Sequence, residues 1–162
     1  MSISKKVVLI GHFGVGKSSL LRRFVENTFS DNYHVTIGVH IMKKEVTLPK
    51  NGKVTLVIWD VEGADDFEKY RPSYLLGASA FIYVFDVTRE STYQDIDENL
   101  ELLKEKHSEI PVHIIGNKVD LADKDEVEKK LNEQNVKHAY LSSAKTGENV
   151  KLLFQNMAAQ IV

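Results

Sequence analysis

Residues 11–18 read Gly-His-Phe-Gly-Val-Gly-Lys-Ser. They follow a continuous apolar run in 6–10 that is rich in β-branched residues. They precede a stretch, 17–27, in which Leu20, Leu21, Phe24 and Val25 recur on one side of a helix. The spacing G-x-x-x-x-G-K-[ST] between a buried strand and a helix is the phosphate-loop arrangement. Its glycines let backbone N–H groups converge on phosphate oxygens, and the helix N-terminus adds the positive end of a dipole. Lys17 is placed to reach the β- and γ-phosphates, and Ser18 to ligate Mg²⁺. The loop selects a nucleoside triphosphate. It does not choose the base.

A strand that opens such a loop needs parallel neighbours, and the rest of the chain supplies them. Residues 39–48 and 54–59 read as two strands joined by an Asn51-Gly52 hairpin turn. Residues 80–85 and 112–115 read as buried strands, and 136–141 as a shorter one. Helices are expected over 92–106, through Ile96, Leu100 and Leu103, over 123–135 with an acidic first turn, and over 148–159 through Val150, Leu153, Phe154 and Met157. The expected fold class is α/β. It is a three-layer sandwich with a mostly parallel six-stranded sheet, one antiparallel edge strand and helices on both faces. A length of 162 residues makes it one domain, 1–162. Ligands in such sheets bind beyond the carboxyl ends of the strands.

Composition narrows the function. The chain has no cysteine, which excludes disulfides, thiolate metal sites, cysteine nucleophiles and prenylation. Ser2 stands where myristoylation needs glycine. A net charge of −2 argues against nucleic acid as a partner. No apolar run reaches the roughly 18 residues of a membrane span. The expectation is a cytoplasmic monomer with no lipid anchor in this chain.

Asn117-Lys118-Val119-Asp120 follows the strand at 112–115. Guanine presents two adjacent donors, N1–H and the 2-amino group, and a carboxylate accepts both. Adenine presents an acceptor at N1, so Asp120 would reject it. The Lys118 stem covers one base face, and Asn117 ties this loop to the phosphate loop or accepts from the base edge. Ser143, Ala144 and Lys145 follow the last strand, where a backbone N–H near Ala144 is placed to donate to guanine O6. A phosphate-loop kinase or ATPase is the competing reading. Asp120 and the lack of a lid domain count against it.

Together these motifs resemble the Ras superfamily of small GTPases, most like its Rab branch in YHVTIGV at 33–39 and SYLLGASAFIYVFDVT at 73–88. The resemblance implies the phosphate-loop NTPase fold, with Mg²⁺ as cofactor and GTP or GDP as ligand. Thr36 would close on Mg²⁺ and the γ-phosphate, Phe29 would flank the guanine, and Tyr33 would lie over the phosphates. Asp60 and Gly63 match D-x-x-G, in which the aspartate supports Mg²⁺ and the glycine N–H meets the γ-phosphate. The implied metal set is Ser18, Thr36 and Asp60. The implied nucleotide set adds Gly14, Val15, Gly16, Lys17 and Ser19 from the phosphate loop to Phe29, Tyr33, Thr36 and Gly63. It is completed by Asn117, Lys118, Asp120, Ser143, Ala144 and Lys145. Residues 30–40 and 61–76 become switch I and switch II, the surfaces for effector, exchange-factor and GAP proteins. Family members usually end in a cysteine-bearing tail, so either a tail was removed here or the protein works unlipidated, as members among prokaryotic relatives do.

Three residues depart from the family pattern. Ala64 replaces the glutamine that positions the attacking water, Phe13 replaces a small phosphate-loop residue, and Glu62 replaces an alanine. The expected catalytic set is Lys17, Thr36, Gly63 and Glu62, the last as a substitute water-orienting group. Hydrolysis is expected to be slow, and Phe13 is expected to obstruct an arginine finger. The alternative is a binding module that uses GTP as a structural ligand. His12 and His34 are expected to be solvated loop residues, and Arg71 to form a surface salt bridge.

Overall fold

The computed structural model describes residues 3–32, 35–50, 52–138 and 140–162. Six strands form one sheet: β1 (Ile3–Ile10), β2 (Val39–Leu48), β3 (Gly52–Val61), β4 (Ala80–Asp86), β5 (Val112–Asn117) and β6 (Tyr140–Leu141). Their order across the sheet is β2-β3-β1-β4-β5-β6. Among the described residues, only the β2–β3 pairing is antiparallel. Among the described residues, five α-helices flank it: α1 (Lys17–Glu26), α2 (Pro72–Leu75), α3 (Ile96–Lys106), α4 (Lys124–Glu133) and α5 (Val150–Ile161). The expected α/β sandwich is therefore present.

The unbroken apolar run of β1 makes sense once both faces are covered. Val7 and Leu9 point into one core with Leu20 and Leu21 of α1 and Leu153, Phe154 and Met157 of α5. Val8 and Ile10 point into the other, with Phe81 and Phe85 of β4, Ile96 and Leu103 of α3, and Leu131 of α4. Successive strand residues face opposite sides, so a strand buried on both faces has no polar positions. β4 is buried along all seven residues and is apolar up to Asp86 at its end.

Several boundaries differ from the sequence expectation. The helix expected from 92 begins at Ile96, after a separate 3-10 turn at Glu90–Thr92. The buried Thr92 hydroxyl is committed to the strand end: it accepts from Asp86 N–H at 2.9 Å and donates to Arg89 O at 2.7 Å. The strand expected over 136–141 is Tyr140–Leu141 among the described residues. Val136 is taken instead by the end of α4, where Asn135 at φ 57° lets Val136 N–H reach Leu131 O at 2.9 Å. α5 starts at Val150 because Asn149, at φ 61°, donates its side-chain amide to Leu141 O at 2.7 Å. In the polar stretch after Asp60, Pro72 opens the short α2, the first-turn position that suits its fixed φ. At the hairpin turn, Gly52 has φ 75°, while Asn51 lies outside the described residues.

The register places the motifs together. Leu9 pairs with Asp60, Asp86 with Asn117, and Gly116 with Leu141. Asp60, Asp86, Asn117 and the phosphate loop thus share the carboxyl edge of the sheet.

A candidate nucleotide and metal cleft

A cleft of about 280 Å³ opens at that edge. It is lined by Gly14, Gly16, Lys17, Ser18 and Ser19 of the phosphate loop, by Phe29 and Thr36, by Gly63, and by Asn117, Lys118, Asp120, Ala144 and Lys145. Val15 and Ser143 do not line it. Val15 is buried in the core, and its contribution is its backbone. Tyr33 and His34 lie outside the described residues.

The loop carbonyls are held by side chains one after another. His12 O accepts from Lys17 Nζ at 3.3 Å, and Phe13 O from the Arg89 guanidinium at 2.9 Å. Gly14 O accepts from Lys118 Nζ at 2.7 Å, and Val15 O from the Asn117 amide at 3.0 Å. Carbonyls fixed in this way hold the loop's peptide planes, and successive N–H groups of such a loop can form an anion cradle. Gly16 adopts φ 98°, and a Cβ there would stand 2.3 Å from Asn117 Nδ2. Glycine is required for the loop and the base motif to touch.

Asn117 is buried and bridges three segments. Its amide serves Val15 O, and its Oδ1 accepts from Ala144 N–H at 3.2 Å. Arg23 of α1 holds the same last loop from behind, through Ala144 O at 2.8 Å and Lys145 O at 2.6 Å. Asp120 is exposed, lines the cleft and accepts from Ser143 Oγ at 2.6 Å, so Ser143 fixes this carboxylate. Lys118 Nζ lies 2.9 Å from the buried carboxylate of Asp86. Thr88 anchors the other oxygen of Asp86 through its N–H at 2.9 Å and its hydroxyl at 2.6 Å.

On the phosphate side, Ser18 Oγ donates to Asp60 Oδ2, Ser18 and Thr36 hydroxyls lie 2.6 Å apart, and Thr36 Oγ1 is 3.3 Å from the same carboxylate oxygen. Three oxygens expected around a metal therefore meet. Asp60 is fully buried, and its Oδ1 has no partner among the described residues. Burial pushes this carboxyl above its usual range, and Ser18, Lys17 and Thr36 work against that shift. Burial also lowers the Lys17 ammonium to about 8, with Asp60 opposing. One carboxylate and two hydroxyls form a hard-oxygen set that leaves positions for water and phosphate, as Mg²⁺ demands. The residues fit that ion.

The departures have definite places. Gly63 is pressed on the phosphate loop, where a Cβ would stand 2.8 Å from Phe13 Cα. Ala64 donates its N–H to Gly11 O at 3.1 Å. Glu62 turns outward: its N–H donates to Gly38 O at 2.7 Å, and its carboxylate accepts from Gly38 N–H at 3.3 Å. It lines a second groove with Ile37, Arg71 and Tyr74, not the cleft. Phe13 is 46% exposed and stands between the two. His12 is a half-buried partner of Asp95, its Nε2 3.0 Å from both carboxylate oxygens, where a solvated residue was expected. Arg71 lies over the Tyr74 ring at 5.8 Å, where a salt bridge was expected.

Sequence reasoning missed Asp86, Arg23, Arg89 and Tyr70. Asp86 had a signal, since a lone carboxylate ending an otherwise apolar strand repeats the pattern at Asp60. The others act through contacts 59 to 122 residues distant, which no local pattern encodes.

Comparison with known proteins agrees with this architecture. The Ras family model matches residues 6–162. The chain is 36% identical over 163 residues to the Ras-related protein Rab-18 of Lymnaea stagnalis, covering 97% of this chain and 80% of that one. Among the described residues, no helix is long and apolar enough to cross a membrane. A family match over nearly the whole length, on a fold with its phosphate loop at the carboxyl edge of the sheet, shows that this chain belongs to the Ras family of small GTPases.

Proposed function

We propose that the protein is a guanine-nucleotide switch that holds GTP with Mg²⁺, hydrolyses it slowly and uses residues 30–40 and 61–76 to recruit effectors. One observation carries the reading: Lys17, Ser18, Thr36, Asp60 and Gly63 converge at one end of the cleft, with Ala64 at the position of the water-orienting group. In this reading Lys17 binds the β- and γ-phosphate oxygens, and Gly63 N–H and Thr36 close on the γ-phosphate. Ser18 and Thr36 hold Mg²⁺ with support from Asp60. When bound, the ion neutralises charge on the phosphate oxygens. The reaction is attack of a water oxygen on the γ-phosphorus with cleavage of its bond to the β–γ bridging oxygen, the proton leaving with the phosphate.

Nothing on Ala64 can orient that water. Glu62, a candidate for the role, has its carboxylate engaged by Gly38 N–H. Phe13 stands at the mouth where a partner's arginine would enter. Exposed Ile37, Ile41 and Leu76 give the switch face an apolar surface for a protein partner. A cytoplasmic monomer is the form in which it would act. The structural-ligand reading is favoured by the Glu62–Gly38 bond, which joins the two switches without using the nucleotide.

Single-turnover hydrolysis of GTP separates the possibilities. Ala64→Gln is expected to raise the rate by about tenfold or more, since each such step is about 1.4 kcal/mol of barrier. Glu62→Gln is expected to leave it within about twofold, well inside one such step. An unchanged rate in Ala64→Gln would show that the missing amide is not the cause of slow turnover.

A further inference from the structure

Arg23 stands half-buried in the last turn of α1, and it is not among the residues that line the cleft. All three of its guanidinium nitrogens are committed. Nε donates to Ala144 O at 2.8 Å and Nη2 to Lys145 O at 2.6 Å. Nη1 donates to Asn27 Oδ1 at 3.1 Å and to Asn27 O at 3.4 Å. Asn27 caps the same helix at φ 54°, and its N–H returns to Arg23 O at 3.0 Å. The guanidinium is thus fixed by its own helix end, and from there it holds two successive carbonyls of a loop 121 and 122 residues further on. A planar fork can serve the cap and both carbonyls together, whereas an ammonium is a single point of charge.

The unit that this fork fixes is the peptide between Ala144 and Lys145. Among the described residues no peptide is cis. In a trans peptide the N–H points opposite to the C=O. A hold on Ala144 O therefore also sets the direction of the Lys145 N–H. The two donors of the loop are not equivalent. Ala144 N–H is spent on Asn117 Oδ1 at 3.2 Å. Lys145 N–H makes no hydrogen bond among the described residues. Ala144 and Lys145 both line the cleft, together with Asp120. The donor that this loop has left for a ligand is the one on Lys145.

We propose that Arg23 is a positioning residue for base selection: by holding Ala144 O and Lys145 O it aims the Lys145 N–H at guanine O6, an oxygen that adenine lacks. The inference rests on the guanine-nucleotide binding argued above. A donor fixed before the ligand arrives avoids the cost of ordering it on binding. Asp120 reads the N1–H and 2-amino edge of the base, and the peptide held by Arg23 reads C6. Arg23 itself touches neither base nor phosphate.

Competition titrations of GTP, 6-thio-GTP and ATP against a fluorescent guanine nucleotide, with Mg²⁺, test it on wild type and Arg23→Lys. The thio analogue keeps N1–H, the 2-amino group, the ribose and the triphosphate, and it carries a weakly accepting sulfur in place of O6. Arg23→Lys keeps the charge and loses the fork. It is expected to weaken GTP binding by about tenfold, roughly one positioned hydrogen bond, and 6-thio-GTP binding by less than about twofold. Arg23→Gln, with a single donor nitrogen, is expected to show the same contrast and stands in if the lysine variant folds poorly. Equal weakening of GTP and 6-thio-GTP would mark Arg23 as a structural clamp with no part in reading C6, and it overturns the proposal. Unchanged GTP binding in a protein whose wild type prefers GTP to ATP overturns this proposal alone. A wild type that holds ATP as tightly as GTP overturns the guanine reading of the preceding section, and this inference with it.

Discussion

Replacing Asp120 with asparagine is expected to reverse the base preference from guanine to xanthine. Guanine offers N1–H and a 2-amino group, two donors side by side, and the carboxylate accepts both. Xanthine keeps N1–H but has an oxygen at C2. An amide meets that pair with one acceptor and one donor. Asp120 is positioned for this by Ser143, whose hydroxyl donates to it at 2.6 Å, and an amide oxygen can accept the same bond. The fold should therefore be unaffected. Because a site built on paired hydrogen bonds rejects a mismatched partner strongly, GTP affinity should fall by about 10³- to 10⁴-fold, with XTP becoming the better ligand. Competition titrations of the two triphosphates against a fluorescent guanine nucleotide would show it. A variant that still prefers GTP would mean that Asp120 does not read the base.

Lys17→Ala carries the second large effect. Lys17 is 6% exposed, and the protein contacts of its ammonium are His12 O at 3.3 Å and the charge of Asp60. Burial holds its proton affinity down, so a triphosphate is the partner that would restore full charge. Removing one member of a desolvated charge pair costs about 2–5 kcal/mol. Affinity for GTP should therefore fall by about 10²- to 10³-fold. Isothermal titration with GTP and Mg²⁺ reads this directly. A loss under tenfold would place the phosphates away from Lys17.

The sequence made the local parts of this molecule legible. The apolar runs of β1 and β4 announced strands covered on both faces. The phosphate loop announced its own strand and helix. Asn117, Lys118 and Asp120 were readable because their spacing carries a hydrogen-bond pattern. What stayed hidden depends on contacts between segments far apart in the chain. Glu62 is an example: its residue type suggested a water-orienting carboxylate, and its register beside Gly38 turns it to the outer groove. Tyr70 is another, because only the tertiary fold brings a switch II phenol to the end of β1. Thr92 differs, because the contact that cuts its predicted helix short is local: its hydroxyl bonds Asp86 at the end of β4. A side chain that can satisfy its own neighbourhood in two ways is decided by packing, and periodicity does not record that choice.

The measurement that bears most directly on the whole account is the nucleotide the protein carries. Protein purified without added nucleotide would be denatured, and the released material separated by ion-exchange chromatography. The account predicts guanine nucleotide close to one per chain, with GTP the larger part, because a site with Ala64 and an outward-turned Glu62 turns it over slowly. GDP alone would contradict slow hydrolysis. Adenine nucleotide, or none, would contradict the guanine switch itself.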